Sequence, residues 1–168
     1  MPKVSVNKSG LDALQRQLEL LKTDATKVAK RAVYDGAKIA ADALRRATDS
    51  LQCVSDFDAI NAKRRGEPSY LSVKQKNGLR TGLGIASMRE LPDSVNTKVG
   101  FDGYNSVVTP RWPNGQPNRM IAAEVNHGSS GRTIRQPFIT VTAEVYASDI
   151  REAMILTATE EISKIVET

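Results

Sequence analysis

Histidine and cysteine are almost absent from this chain: it has one of each, His127 and Cys53. A single cysteine excludes an internal disulfide and any multi-cysteine zinc site, and it suits a reducing compartment. One histidine excludes histidine-rich metal spacing, and no carboxylate-rich metal spacing takes its place. No metal site and no cofactor site is therefore read from the sequence. Aromatics make up only 5% of the residues, so the core must rest on Ala, Leu, Ile and Val. Alanine lets helices approach closely but stabilises weakly per residue. Marginal monomer stability, relieved by assembly, fits that composition. Long apolar runs are missing too. The longest span four residues, Met120 to Ala123 and Ala153 to Leu156, too few for a transmembrane helix or a signal-peptide core. No membrane partner is expected. Met1-Pro2-Lys3-Val4-Ser5 reads as a mature cytoplasmic terminus, and the Asn7-Lys8-Ser9 glycosylation pattern carries no weight without a secretory signal.

What is present is a chain of 168 residues with 26% charged residues and a net charge of +5. That length suffices for one domain over 1–168, with mobile loops expected at 52–77 and 103–118. The charge is uneven. Between Ile60 and Arg80 lie Lys63, Arg64, Arg65, Lys74, Lys76 and Arg80 against Glu67 alone, which matches the whole excess. From Val141 to Thr168 six acidic residues face two basic ones. Such asymmetry reads as a patch for an acidic partner or a neighbouring subunit, or as a solvated basic loop.

Periodicity organises the chain as α+β: a long N-terminal helical segment and a C-terminal helix packed on a small, mainly antiparallel sheet, with long loops. Val4 and Val6 alternate with polar residues as in a short strand. Ser9-Gly10-Leu11-Asp12 has capping-box spacing, and Leu11, Leu14, Leu18 and Leu21 follow at helical spacing. Thr23-Asp24 caps a second helix or bends the first. Ala25, Val28, Ala32, Gly36, Ile39, Ala43, Ala47 and Leu51 then continue one stripe of mostly small residues. Residues 52 to 77 lose this period and read as a loop, with extended chain near Tyr70-Leu71-Ser72-Val73. Asn77-Gly78 reads as a turn. Leu79, Leu83 and Met88 fit a short helix, Val95 to Phe101 a strand, and Val107-Val108 its partner. Asn118 is placed to cap a helix from Arg119 to Asn126 that Gly128 stops. Phe138 to Val145 reads as helical, and Ser148-Asp149 as the cap of a last helix with its stripe at Ile150, Met154, Ala158, Ile162 and Ile165.

Catalytic patterns fail one by one. Cys53 fits a small buried hydrophobe at the end of a stripe, and His127 a helix-stop role before Gly128, better than a nucleophile and its base. Gly82-Leu83-Gly84 begins a dinucleotide fingerprint, but Ser87 stands where the third glycine belongs. Gly100-Phe101-Asp102-Gly103 has the spacing of an RNA-clamping loop, yet it follows a strand, and Asp102 would repel phosphate. Gly128-Ser129-Ser130-Gly131-Arg132 reads as a flexible turn ahead of an anion nest. Glu160 and Glu161 are adjacent on a helix and face apart. The chain reads as a non-enzyme. The basic window is the one ligand candidate: it suits sequence-independent phosphate contacts, although Tyr70 alone offers no stacking platform. A non-catalytic nucleic-acid-binding accessory protein using 63–80 is thus the alternative reading.

The run from Gly115 to Ile139 is the most distinctive. It holds Gly115-Gln116-Pro117-Asn118, a short apolar helix at Ile121, Ala122 and Val125, the Gly128-Ser129 turn, and Gln136-Pro137-Phe138-Ile139. With the leucine-spaced opening helix, Tyr34 and Ile39 on the alanine-rich one, and Val99-Gly100-Phe101, it resembles the neck and tail-completion family of long-tailed bacteriophages. Members that resemble this chain often carry a glutamate two positions before the glycine of the turn, where this chain has Asn126. The resemblance implies a structural virion protein: a ring of six or twelve copies at the neck that completes the tail or joins it to the filled head. Its partners would be further copies of itself, the head-side connector and portal, and tail terminator or tube proteins. Genomic DNA would pass through the ring without sequence recognition. The location implied is the virion, and the host cytoplasm during assembly. In that setting the basic residues face DNA or a neighbouring subunit, and the 103–118 loop, with Trp112, Asn114, Gln116 and Asn118, meets the next ring. Trp112 reads equally as an interface anchor or a core residue.

Overall fold

The computed structural model describes residues 8–129 and 132–167. The strand expected at Val4 to Asn7 lies outside them, as do Ser130 and Gly131 of the turn and the side chains of Ser9, Asp12, Leu11, Leu14 and Leu21. The fold is α+β.

One helix, α1 (Lys8–Ser50), takes up both N-terminal stripes and runs unbroken through Thr23-Asp24. Thr23 stays in the helix by donating its hydroxyl to the Glu19 carbonyl at 2.9 Å. The expected stripe buries Val28, Ala32, Gly36, Ala43 and Leu51 but leaves Ala25 exposed, and Ala37 and Ala41 beside it are buried too. These small residues let the last helix, α5 (Phe138–Val166), lie close and antiparallel. Gly36 makes room at one close approach: a Cβ there would stand 2.7 Å from Met154 Cγ. Around it, Thr157 donates to the Asp35 carboxylate at 3.0 Å, the Arg46 guanidinium covers the Tyr146 ring, and Arg31 pairs with Glu161. Past Glu161, α5 runs only to Val166, whereas α1 starts at Lys8, far ahead of Arg31. Roughly 27 Å of α1 therefore has no length of α5 opposite it.

The segment read as a loop over 52–77 is instead largely ordered into short elements. They are β1 (Cys53–Val54), α2 (Asp56–Arg65), β2 (Leu71–Ser72) and the start of α3 (Val73–Gly82). β1 and β2 pair in parallel, Cys53 opposite Leu71. Extended chain at Leu71-Ser72 matches expectation; Val73 already belongs to α3. Periodicity misses α2 because it buries only Ala62. Its signals are local: Ser55 accepts from the Asp58 N–H, and Gly66 closes the far end at φ +72°. α3 starts with a full capping box between Ser72 and Gln75. Ser72→Ala should lower stability by about 1 kcal/mol in urea unfolding.

Asn77-Gly78 is not a turn but part of α3, and Leu83 and Met88 lie beyond that helix. β3 (Leu83–Ile85) pairs antiparallel with β6 (Val99–Phe101). The single strand expected over Val95–Phe101 divides into β5 (Ser94–Asn96) and β6, and β5 forms a hairpin with β4 (Arg89–Leu91). Val107-Val108 is not the partner of β6; Leu83–Ile85 is. The sheet is thus three separate two-stranded ribbons rather than one. α4 (Asn118–His127) lies under the core formed by Leu44, Leu51, Leu71, Leu79, Ile121, Val125 and Phe138. Gly128 ends α4, as expected, at φ +79°. Ser148-Asp149 does not start a helix: α5 is continuous, and Ser148 donates to Glu152 one turn on. Packing on α1 outweighs the small propensity deficits of Val141, Thr142 and Val145.

Candidate functional site

The distinctive run builds the scaffold residue by residue. Gly115 has φ +99°, and a Cβ on it would sit 2.0 Å from the Asn105 carbonyl oxygen. Asn118 is not the N-cap of α4; Pro117 takes that place without a side-chain cap. The Asn118 side chain turns inward, 1% exposed, and donates from Nδ2 to the Asp102 carbonyl at 2.8 Å. Gly78 and Gly82, one turn apart on α3, make room for it: a Cβ would stand 2.6 Å from Asn118 Oδ1 in the first case and 2.5 Å from Nδ2 in the second. Asn126 accepts from the Ile139 and Thr140 N–H groups at 2.9 and 3.1 Å and donates to Thr140 Oγ1 at 2.9 Å. It therefore caps α5 from the end of α4. Gln136 holds the chain after α1 through Gln52 N–H to Oε1 at 2.8 Å and Nε2 to Gln52 O at 3.0 Å. Phe138 enters the core against Phe101, ring centroids 5.8 Å apart. Asn118 Oδ1 and Asn105 Nδ2 are buried there without a hydrogen-bond partner among the described residues; the other side chains named are held in scaffold contacts.

The basic window divides. Arg65 pairs with Glu67 at 2.8 Å, Lys74 with Asp56 at 3.8 Å and Arg80 with Asp49 at 2.8 Å. Lys76 Nζ donates to the Asp49 and Leu51 carbonyls at 2.8 and 2.7 Å, which satisfies the open C-terminal end of α1. Lys63 and Arg64, on α2, form no ion pair among the described residues. Burial raises the pKa of the Glu124 carboxyl, outweighing the opposing pull of Arg132 and then Lys63.

The 103–118 loop brings its four candidate residues together only in part. Asn118 is buried, and Gln116 is half-buried, accepting from Gln75 Nε2 at 2.9 Å. Asn114 is exposed. Trp112 is half-buried beneath the Arg111 guanidinium, and its backbone exchanges hydrogen bonds with Thr109. Trp112 and Asn114 alone remain available to a partner.

Two exposed apolar faces are mostly unread in the sequence. Besides its α1-facing side, α5 presents Val141, Val145, Ile155, Leu156 and Val166 to solvent; Val145 is 63% and Leu156 61% exposed. Ile162, expected in the stripe with Ile150, Met154, Ala158 and Ile165, belongs to this outer face instead. Most of these residues recur at three- and four-residue steps, the signal of a second helical stripe. On α2, Phe57 is 72% and Ile60 52% exposed, opposite the buried Ala62. Leu18 of α1 is also exposed.

At the outer end of the helix pair, Lys164 and then Arg31 hydrogen-bond Glu161 and hold its carboxyl below the usual glutamate range. A depressed carboxyl contributes stability above its unfolded pKa and loses it as pH falls through the folded value. Glu161→Gln should therefore lower stability by a constant amount at neutral and alkaline pH and flatten the acid limb of a stability–pH curve. Beside this contact an open groove of about 540 Å³ is lined by Lys30, Tyr34, Asp35, Met88, Thr157 and Glu160. It is shallow and polar, unlike the enclosed apolar pockets that hold small ligands.

Cys53 is not buried at the end of the stripe: it lies past the end of α1, exposed in β1. His127 ends α4, and no hydrogen bond joins the two among the described residues. No cluster of three or more potential metal ligands occurs among the described residues. No described helix is long and apolar enough to cross a membrane. Comparison of the chain with protein-family models, with curated proteins and with solved structures finds no match.

Proposed function

We propose that this chain is a structural virion protein that forms a homo-oligomeric ring at the phage neck, completing the tail or joining it to the DNA-filled head. The observation that carries the reading is the second apolar stripe of α5. A helix with one apolar face packed on α1 and another in solvent is built for a further protein contact. The exposed Phe57–Ile60 face and the length of α1 beyond the end of α5 support the same reading. So does the resemblance of the Gly115–Ile139 run, whose residues hold scaffold contacts rather than a reactive site. The alternative, a sequence-independent nucleic-acid binder, has less support: four of the six basic residues of 63–80 hold contacts within the chain, leaving Lys63 and Arg64.

Native mass spectrometry of the purified protein, alone and with purified tails, tests the ring. A closed species of six or twelve copies, free or on one tail end, is the expected result. A monomer or dimer that ignores tails would overturn the proposal.

A further inference from the structure

We propose that the two exposed apolar faces are the halves of one head-to-tail contact: the Phe57–Ile60 face of α2 in one copy docks on the outer stripe of α5 in the next. The inference rests on the ring reading above and supplies the contact surface that the reading lacks.

Each face has what the other needs. Phe57 and Ile60 lie about one turn apart on the solvent side of α2, and Lys63 and Arg64 follow Ile60 by three and four residues, on the same side. Arg64 has no ion pair within its own chain among the described residues. On α5, Glu152 interrupts the stripe between Val145 and Ile155, with Glu144 and Asp149 at its edges against Arg151. A short basic apolar knob thus meets a long apolar seam that carries a carboxylate.

Charge also selects between the ways two copies could meet. Pairing α5 with α5 in parallel would set Glu144 and Glu152 against their own copies, and an antiparallel pair crossing at its midpoint would set Glu152 against Glu152. Pairing α2 with α2 in parallel would set Lys63 and Arg64 against theirs. Like charges in an interface are strongly unfavourable, which favours the heterologous pairing that joins apolar surface and opposite charge. A heterologous contact repeats head to tail and closes into a ring when its rotation allows.

Full-length protein in a Cys53→Ser background, carrying Ile60→Cys and Ile155→Cys, tests the contact with a short bismaleimide crosslinker. The expected result is a ladder of covalent oligomers ending at the ring number, with each single variant remaining monomeric. Lys63→Glu with Arg64→Glu should raise the concentration of half-assembly at least about tenfold, as loss of a central charged contact does. Adding Glu144→Lys and Glu152→Lys to the same chain should restore assembly. Circular dichroism of each variant separates loss of contact from loss of fold. Wild-type rings whose double-cysteine variant gives no ladder, or dimers only, would overturn this contact while leaving the ring reading in place. Crosslinks only to a tail protein would overturn it in favour of a different partner. A wild-type chain that never assembles, alone or with tails, would overturn both.

Discussion

Gly115→Ala is expected to destabilise the protein by at least about 3 kcal/mol, while Gly66→Ala costs about 1 kcal/mol. Both glycines have positive φ, +99° and +72°, so both substitutions meet the conformational penalty of an L residue there. Only their surroundings differ. A Cβ on Gly66 has nothing within 4 Å, whereas one on Gly115 falls 2.0 Å from the Asn105 carbonyl oxygen. That oxygen belongs to backbone held in place: the Asn105 N–H donates to the Gln116 carbonyl at 2.9 Å. Relief therefore requires the 103–118 loop to separate from itself, and with it the seat of buried Asn118. Urea unfolding of the two variants decides the matter. Equal midpoints would show that strain alone governs Gly115 and that the loop yields at little cost. Gly82→Ala is the companion case, with a Cβ 2.2 Å from the Asp102 carbonyl oxygen.

These glycines also show where the sequence is legible. Glycine marks turns in the absence of other information, and Gly103, Gly115 and Gly128 do stand at positive φ. Gly78 and Gly82 follow a different logic. Their missing side chains admit Asn118 into α3, and nothing near Asn77-Gly78 announces a partner so far along the chain. α1 was readable because its buried face repeats at helical spacing over many turns. α2 was not, because one buried residue cannot make a period; its evidence lies in Ser55, Gly66 and the Ser72–Gln75 box, which are capping signals rather than stripes. The basic window was visible as charge, but its meaning depended on Asp49, Asp56 and Glu67 coming to meet it. α5 was read as two helices because Ser148-Asp149 imitates a cap, and that division hid the outer stripe running past it.

Asn126→Leu should cost about 2 kcal/mol, since a side chain of similar size without polar atoms leaves the Ile139 and Thr140 N–H groups lacking their acceptor. Asn126→Asp should stay within about 0.5 kcal/mol of wild type: the carboxylate still accepts both N–H groups and faces the positive end of the α5 dipole. This pair of outcomes separates an acceptor role from simple packing, under which both variants would lose stability together. Asn126 thus makes the connection between α4 and α5 through its carboxamide oxygen. The connection matters beyond stability. Val141 and Val145, the first residues of the outer α5 stripe, follow Thr140 within about a turn and a half. Asn126→Leu loosens the turn that orients them. On the assembly reading, it should weaken ring formation at temperatures where circular dichroism still reports a folded chain, and Asn126→Asp should not. Parallel loss of helicity and assembly in the leucine variant would instead place Asn126 wholly in the service of the fold.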